Sequence, residues 1–369
     1  MKYRIAGLLA VTCLVLSLVC LLPACSREAP SSDAGEAEWK QHIEQGTLYA
    51  SQEKWDEAIN EFSAAIKLNP KAATAYNNRG WAYANKGDAK QAIADLSKAI
   101  ELDPKLVEAY YNRGLVYRFT SDLDKAIADF TKCIELDPSN FMAYNDRGSV
   151  YTDVDQLDSA LDDFNRAIYL KPDYAIAYYN RSLVYRVQGE WGLAIADLEK
   201  IIGLDPASKQ QLQQEMALIY NQRGIEYGSK GEMEPAIADF TKAIELDPGL
   251  VEAYYNRGTV YNALEQWDKG IADLTKAIEL KPDFAKAYNN RGSAYSHKDQ
   301  HDLAIADFNK AIELNPEYPL AYFNRGNAYA RIRQTSLAIA DFNKVVEISQ
   351  DQSLVTAARQ RISELRRGQ

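Results

Sequence analysis

One six-residue pattern returns along this chain at a fixed distance. The segment AYYNRG occurs at 109–114 and again at 253–258, and close variants begin at 75, 143, 177, 287 and 321. Its glycine position recurs every 34 residues, except for one step of 42. A fixed period of this length indicates a tandem array of one supersecondary unit. The glycine positions are Gly46, Gly80, Gly114, Gly148, Ser182, Gly224, Gly258, Gly292 and Gly326.

Each unit has the pattern of two short amphipathic helices joined by a tight turn. In the unit 73–106, we predict a first helix (helix A) at 74–86 and a second (helix B) at 90–102. Gly87 can adopt the left-handed conformation that ends helix A. Pro104 ends helix B, because proline cannot continue a helix and disfavours helical geometry at the residue before it. The chain is therefore predicted to be all-α.

The unit resembles the tetratricopeptide repeat (TPR), a 34-residue helix–turn–helix. Residues typical of that family stand at matching offsets, as Tyr76, Gly80, Tyr83, Ala92, Leu96, Ala99 and Pro104. The resemblance implies a right-handed TPR superhelical solenoid of nine helix–turn–helix repeats and a C-terminal capping helix. Neighbouring repeats would complete the core, because one repeat cannot bury its own apolar face. The repeats are 39–72, 73–106, 107–140, 141–174, 175–208, 217–250, 251–284, 285–318 and 319–352.

The remaining segments complete the predicted domain organisation. Its order is a signal peptide at 1–25, a flexible tether at 26–38, repeats 1–5 at 39–208, a helical insertion at 209–216, repeats 6–9 at 217–352 and the capping helix at 353–369.

The first residues have the features of an export signal, with a positive start and an apolar run at 5–22. The end of this segment resembles a bacterial lipobox, since Leu22 and Ala24 precede Cys25. In that family the cysteine thiol receives diacylglycerol, so the resemblance implies a lipid-anchored protein of the cell envelope. By resemblance to known sorting rules, Ser26 favours the periplasmic face of the outer membrane in a cell with two membranes. An uncleaved membrane helix and ordinary secretion stay as alternatives, because the apolar run reaches the lower limit of spanning length.

An arginine stands beside the glycine in eight of the nine units, and an aspartate follows it after sixteen residues. We predict a partly buried Arg–Asp pair that joins helix A to helix B, because a bidentate pair fixes geometry. The arginines are Arg79, Arg113, Arg147, Arg181, Arg223, Arg257, Arg291 and Arg325, and the aspartates are Asp95, Asp129, Asp163, Asp197, Asp239, Asp273, Asp307 and Asp341.

An asparagine precedes that arginine in six units. The TPR portion of O-GlcNAc transferases is similar, with an asparagine ladder that grips the backbone of extended targets. The resemblance implies that these side chains line a concave groove and bind peptide. Hydrogen bonding along the helix edge is the structural alternative, and both stay open. The six residues are Asn78, Asn112, Asn180, Asn256, Asn290 and Asn324.

The neighbouring position alternates between aromatic residues and asparagine. Rigid aromatic side chains with a few polar donors form a typical peptide-binding surface. We predict that the groove shows Tyr111, Tyr179, Tyr255 and Phe323 alternating with Asn77, Asn145, Asn221 and Asn289, and that Arg118 and Arg186 lie one turn deeper.

Repeat 5 departs from the pattern, with Ser182 in place of glycine and Ile201 in place of alanine. The segment KQQLQQEM at 209–216 follows it and consists largely of helix formers. We predict a longer first helix in repeat 6 that projects from the array. It is either a partner-binding knob or bend, or a neutral insertion.

The sequence favours binding over catalysis. No glycine-rich phosphate loop or nucleophile elbow occurs. His297 and His301 are four residues apart, but a turn separates them and no third ligand has a fixed spacing. Cys133 stands at an alanine position of the repeat and fits a core role. We therefore predict no catalytic residue, metal or cofactor.

The net charge of −10 disfavours a nucleic-acid partner. The predicted function is a non-enzymatic scaffold or adaptor of the bacterial cell envelope that binds a protein or peptide partner. An envelope assembly chaperone that holds transient clients is the alternative.

Overall fold

Helices make up all the regular secondary structure in residues 34–367, which are the residues that the computed structural model describes. The described chain divides into two compact units, one that ends at Asn180 and one that begins at Arg181, and each is described by itself. The helices are α1 (Ala34–Ser51), α2 (Trp55–Leu68), α3 (Ala73–Asn85), α4 (Ala89–Leu102), α5 (Val107–Phe119), α6 (Leu123–Leu136), α7 (Phe141–Asp153), α8 (Leu157–Leu170), α9 (Ala175–Gln188), α10 (Trp191–Leu204), α11 (Lys209–Ser229), α12 (Met233–Leu246), α13 (Val251–Ala263), α14 (Trp267–Leu280), α15 (Ala285–His297), α16 (His301–Leu314), α17 (Pro319–Arg331), α18 (Thr335–Ile348) and α19 (Gln352–Arg367).

Consecutive helices pack in pairs, and each pair consists of helix A and helix B of one repeat. The A helices carry odd numbers up to α17, and the B helices carry even numbers. In repeat 2, α3 and α4 begin one residue before the predicted helices. The Asp88 side chain accepts a hydrogen bond from the backbone N–H of Gln91 and so caps α4. The chain becomes extended at Asp103, directly before Pro104.

The nine A–B turns in residues 34–367 all contain one residue with positive φ. Glycine fills this position in three turns, with φ between 77° and 89°. The other six turns place an L side chain there, with φ between 56° and 62°, although this conformation costs about 1–2 kcal/mol for such residues. The residues are Glu53, Gly87, Ser121, Asp155, Gly189, Gly231, Glu265, Asp299 and Arg333.

We expect Gly231→Ala to lower the free energy of unfolding by about 1 kcal/mol, because the new Cβ is strained at positive φ. No atom lies within 4 Å of that Cβ position, so a steric clash plays no part. Urea denaturation followed by circular dichroism measures the loss. Glu265→Ala is the matched control, since it keeps a Cβ at φ 57°, and its effect is expected to stay within about 0.5 kcal/mol. Equal losses in the two variants would contradict the assignment.

Close contact between helices explains the repeated glycine. A Cβ added at Gly292 would lie 2.8 Å from Cε1 of Phe308 and 3.1 Å from the backbone oxygen of Ala304. Phe308 is 1% exposed and Ala304 is fully buried. Interiors are packed at crystal density, so even one methyl group at this glycine would force the helices apart.

The predicted Arg–Asp pairs are confirmed in all eight repeats that carry them. Arg257 donates from Nε to Oδ2 of Asp273 at 2.7 Å and from Nη2 to Oδ1 at 2.9 Å. The other seven pairs repeat this bidentate geometry at 2.6–2.9 Å. The eight aspartates are only 4–7% exposed. Each pair fixes helix A against helix B of the same repeat.

A third hydrogen bond from the arginine was not anticipated from the sequence. Nη1 of Arg257 donates to the hydroxyl of Thr241, which lies on helix B of the preceding repeat, at 2.9 Å. One guanidinium thus joins three helices and two repeats. Equivalent bonds to a hydroxyl run from Arg79 to Ser63, Arg113 to Ser97, Arg147 to Thr131 and Arg291 to Thr275, and Arg325 donates to Oδ1 of Asn309.

Repeat 6 begins with the long helix α11, which has 21 residues where α13 has 13. Leu212 and Met216 of the insertion are buried, at 5% and 4% exposure. The expectation that this segment projects from the array is therefore wrong for the helix face that carries Leu212 and Met216. The reason is the spacing of the two apolar residues, which places them on one side of the helix. Ser182 and Ile201, the irregular residues of repeat 5, are also buried.

The two ends of the described chain are helical. Helix α1 begins at Ala34, inside the range 26–38 that the sequence assigned to a flexible tether. The signal segment and Cys25 lie outside the described residues. At the other end, α19 packs Ala358 and Ile362 against Phe342 and Val345 of α18. Within 34–367, every helix is either too short or too polar to cross a bilayer.

Candidate functional site

The six ladder asparagines all lie on A helices and are half-buried. We define the amide face as the fifth and sixth positions of repeats 2–9, where these asparagines and their neighbours stand. It comprises 77–78, 111–112, 145–146 and 179–180 in the first unit, and 221–222, 255–256, 289–290 and 323–324 in the second.

An amide network crosses the boundary between repeats on this face. Nδ2 of Asn112 donates to Oδ1 of Asn77 in the preceding repeat at 3.0 Å. Nδ2 of Asn77 in turn donates to Oδ1 of its neighbour Asn78 at 3.1 Å. The same link between repeats joins Asn180 to Asn145 at 2.9 Å, Asn256 to Asn221 at 3.0 Å and Asn324 to Asn289 at 3.0 Å.

The acceptors of this network are buried, which corrects the sequence-based expectation that they line the groove. Asn145 and Asn289 are 2% and 1% exposed, and Asn77 and Asn221 are each 8% exposed. Buried amides require hydrogen-bond partners, and the ladder asparagines supply them. Asparagine and aromatic residues alternate at this position from one TPR repeat to the next. The hydrogen bonds between asparagines therefore occur once in every two repeats.

Four ladder residues keep one open acceptor. Their amino groups donate across the repeat boundary, yet their Oδ1 atoms accept no hydrogen bond from any residue that the structure describes. A side-chain carbonyl oxygen can accept two hydrogen bonds, so each is an available acceptor. These open acceptors are Oδ1 of Asn112, Asn180, Asn256 and Asn324.

The tyrosines of the amide face also hold repeats together. The hydroxyl of Tyr111 donates to Oδ2 of Asp146 in the next repeat at 2.6 Å. In the second unit, Nδ2 of Asn290 donates to the hydroxyl of Tyr255 at 3.3 Å. Tyr179 is half-buried at the equivalent position of α9. The rings stay part-exposed, so each tyrosine still presents an aromatic surface beside the asparagines.

The two predicted groove arginines lie close to carboxylates. Nη1 of Arg118 is 3.9 Å from Asp146, and its Nε is 3.8 Å from Asp153. Nη1 of Arg186 is 3.8 Å from Glu215 on α11. Distances of this length leave the guanidinium groups able to bind a further acceptor. Arg118 therefore stands between two acidic groups of the next repeat.

Asp146 occupies the position of the ladder asparagine in repeat 4. Burial raises its pKa above the usual value, and the Tyr111 hydroxyl and Arg118 oppose that shift. Burial also raises the pKa of Asp153. The folded protein thus penalises the ionised form of Asp146.

We expect Asp146→Asn to raise the melting temperature at pH 7 relative to the unmodified chain. An aspartate whose folded pKa lies above its unfolded pKa destabilises the fold at higher pH and has no effect once both states are protonated. The advantage should therefore shrink as pH falls and disappear below about pH 4, the ordinary aspartate range. Thermal melts across this interval measure it. Asp158→Asn, at an exposed position of the same repeat, is the control; an equal effect there would contradict the prediction.

No three metal-binding side chains come together in the part of the chain that the structure describes. The ring of His297 stacks on Trp267 with centroids 4.4 Å apart. Nε2 of His301 lies 3.6 Å from a carboxylate oxygen of Asp299. Cys133 is buried in the core. These residues have separate packing roles.

Sequence models of known families identify the repeats. Tetratricopeptide repeat models match residues 43–107, 107–140, 145–209, 217–250, 251–284, 285–318 and 308–340, which is well over half of the chain. The chain belongs to the tetratricopeptide repeat family. The predicted all-α TPR solenoid is thereby confirmed, and the TPR repeats support a protein–protein interaction scaffold. The unmatched residues 210–216 lie within the predicted insertion.

Several solved TPR structures are similar to this TPR chain. YrrB, described as a TPR protein with an unusual peptide-binding site, is 24% identical, with 52% of this chain and 95% of YrrB covered and a TM-score of 0.37. MamA is 32% identical, with 48% and 92% covered and a TM-score of 0.40. The TPR domain of P58(IPK) is 17% identical, with 89% and 97% covered and a TM-score of 0.30. No curated protein matches the sequence.

Proposed function

We propose that this TPR protein is a non-enzymatic scaffold of the bacterial cell envelope that binds extended peptide or protein segments along its amide face. The observation that carries the proposal is the set of open acceptors on Asn112, Asn180, Asn256 and Asn324. An extended backbone carries an N–H donor at every residue except proline. Side-chain carbonyls that no neighbour uses can accept those donors without reading the peptide's side chains.

The surroundings of the open acceptors fit the same ligand. Tyr111 and Tyr255 are held by hydrogen bonds to the next repeat, so their rings are already ordered before binding. Ordered aromatic rings give contact area at a low entropy cost. Arg118, between Asp146 and Asp153, adds a polar contact at one place on the first unit. Side-chain acceptors for backbone N–H groups, aromatic area and a few charges together favour peptide over a small-molecule substrate.

The titratable groups of the described residues support the non-enzymatic part of the proposal. The buried aspartates recur with the repeat, and each is held by an arginine in a bidentate pair. A catalytic group would instead be positioned once, beside a distinct cleft. These groups are explained by their role in holding the repeats.

A comparison of two triple variants tests the amide face. Asn112/Asn256/Asn324→Ala removes three of the four open acceptors together with their hydrogen bonds to the preceding repeat. Asn77/Asn221/Asn289→Ala removes the partners in those same hydrogen bonds but keeps the open acceptors, and is the matched control. Peptides selected from a phage-displayed 12-residue library on the unmodified chain serve as probes.

We expect the test variant to bind these peptides at least about tenfold more weakly than the control, since three hydrogen bonds are lost in the complex. Circular dichroism checks that both variants fold. Equal affinities of the two folded variants would contradict the proposal and direct attention to another surface.

The envelope part of the proposal rests on the sequence before residue 26. Two or three acyl chains hold a protein on a membrane where one chain is marginal. Mass spectrometry of the mature protein is expected to find a diacylglyceryl group on Cys25 as the first residue. An unmodified Cys25 would refute lipid attachment and leave the uncleaved helix or secretion.

Crosslinking in intact cells separates an adaptor from an assembly chaperone. The proposal predicts one partner captured at a constant ratio to the TPR protein. Many partners, each captured in small amounts, would favour transient clients instead. The Asn112/Asn256/Asn324→Ala variant should lose the captured partner in either case.

A further inference from the structure

Helix α19 continues the register of the A helices. Val355 and Ile362 stand 34 residues after Ala321 and Ala328 of repeat 9, and all four side chains are buried. In the same register Arg359 stands 34 residues after Arg325. Arg359 is therefore the ninth arginine of the series that binds aspartate in eight repeats.

The bonds that hold the other arginines are missing at this position. Arg325 binds Asp341 through two nitrogens and Asn309, sixteen residues before it, through the third. Asn343 stands sixteen residues before Arg359, yet both side chains are exposed. Among residues 38–367, neither forms a hydrogen bond or ion pair. The guanidinium group of Arg359 thus stands at the arginine position of the repeat without the carboxylate that binds the other eight arginines.

A cavity of about 460 Å³ lies beside this arginine, between α18 and α19. Its lining includes Asn343, Val346, Arg359, Ile362, Arg366 and Arg367. Arg366 also has no hydrogen-bond or ion-pair partner within the described residues, and Arg367 binds only Ser363, which carries no charge. The lining of the cavity thus contains three arginines and no carboxylate, in a chain whose net charge is −10.

We propose that this cavity, which we call the terminal cradle, docks a helix of a partner protein that carries an aspartate or glutamate. The partner helix takes the place that helix B has beside each of the other eight arginines, and its carboxylate binds Arg359. The eight intact pairs define the chemistry of the occupant, and Arg366 and Arg367 add charge complementarity. Val346 and Ile362 supply an apolar floor for the helix. This surface is separate from the amide face.

A helix B sequence from this chain is the natural probe, because it carries the matching carboxylate. A 14-residue peptide with the sequence of α16, HDLAIADFNKAIEL, contains Asp307. Short peptides are only marginally helical in water, so a lactam bridge on the face opposite the aspartate holds the helix. Fluorescence anisotropy of the labelled peptide measures binding to the 369-residue chain.

We expect Arg359→Gln to weaken peptide binding at least about tenfold, the loss typical of a charged hydrogen bond. The peptide with Asp307→Asn should lose affinity by a similar factor. Arg331→Gln removes an exposed arginine outside the cradle and should change affinity less than about twofold. The Asn112/Asn256/Asn324→Ala variant should bind the helical peptide unchanged, which separates this site from the amide face.

Three results would overturn the proposal. One is the absence of binding at a peptide concentration of about 1 mM, where even weak complexes form. Another is binding that survives both Arg359→Gln and the loss of the peptide carboxylate. The third is that phosphatidylglycerol vesicles bind the chain through Arg359 and displace the peptide completely, which would identify a general site for anionic surfaces.

Discussion

Asp273→Ala is expected to lower the free energy of unfolding by about 3–5 kcal/mol. Asp273 is 7% exposed and holds Arg257 through two short hydrogen bonds. Without the carboxylate, a desolvated guanidinium keeps only its bond to the Thr241 hydroxyl and the face of the Tyr254 ring. The cost comes from that stranded charge, more than from the pair's net contribution.

Glu279→Ala on the same helix is the matched control. Glu279 is exposed and pairs with Lys276 three residues away, an arrangement that contributes only about 0.2–0.5 kcal/mol. Hydrogen exchange of the α13 and α14 amides measures both variants locally, which suits a repeat array whose unfolding need not be two-state.

An apolar replacement of both partners tests the cause of the loss. Arg257→Met with Asp273→Leu removes the two charges together, so we expect this double variant to recover most of the stability that Asp273→Ala loses. A loss below about 1 kcal/mol in Asp273→Ala, or no recovery in the double variant, would contradict the stranded-charge explanation.

Phe308→Ala is expected to cost about 3–5 kcal/mol, the range for removing a fully buried aromatic side chain. Phe308 is 1% exposed and fills the space that the missing side chain of Gly292 leaves. The alanine variant would open a cavity between α15 and α16. The surrounding helices cannot close it completely, because the Arg291–Asp307 pair fixes their separation.

Leu303→Ala on the same helix provides the comparison, since Leu303 is 50% exposed. Its expected effect stays below about 1 kcal/mol. Urea denaturation of both variants under one set of conditions gives the difference. Similar losses at the two positions would mean that the ring of Phe308 does not form the core of this repeat.

The repeat period made much of the fold predictable from the sequence. The Arg–Asp pair, for example Arg257 and Asp273, occurs with the same spacing in eight repeats. Only a contact between helices A and B explains such a charged pair at core positions. Helix boundaries were predicted to within one residue in repeat 2, because Gly87 and Pro104 end the two helices in different ways.

The amide face was less predictable, because sequence spacing fixes the face of a helix but leaves the side-chain rotamer undetermined. The sequence placed Asn77 beside Asn112 without showing which amide would be buried. Which of the two amides is buried depends on the distance between neighbouring A helices, because this distance allows the side chain of Asn112 to reach Asn77. The third hydrogen bond, which Arg257 donates to the hydroxyl of Thr241 sixteen residues earlier, was not predicted for the same reason.

The pKa of Asp146 could not be predicted from its own position in the sequence. Its replacement of asparagine is visible in the sequence, but the effect depends on Tyr111 and Arg118 from the preceding repeat. Those contacts join residues that are 35 and 28 positions apart, as the residue numbers show. The pKa of the carboxyl group follows from this environment, which only the folded array defines.

In the function that we propose, the open carbonyl oxygens of the amide face accept hydrogen bonds from a peptide backbone. The most direct measurement is the affinity of a selected peptide after N-methylation of each backbone amide in turn, which removes one donor at a time. We expect a loss of affinity of about tenfold or more at particular amides, and no such loss in the Asn112/Asn256/Asn324→Ala variant. Affinities that no methylation changes, or equal losses in the variant and the unmodified chain, would contradict it.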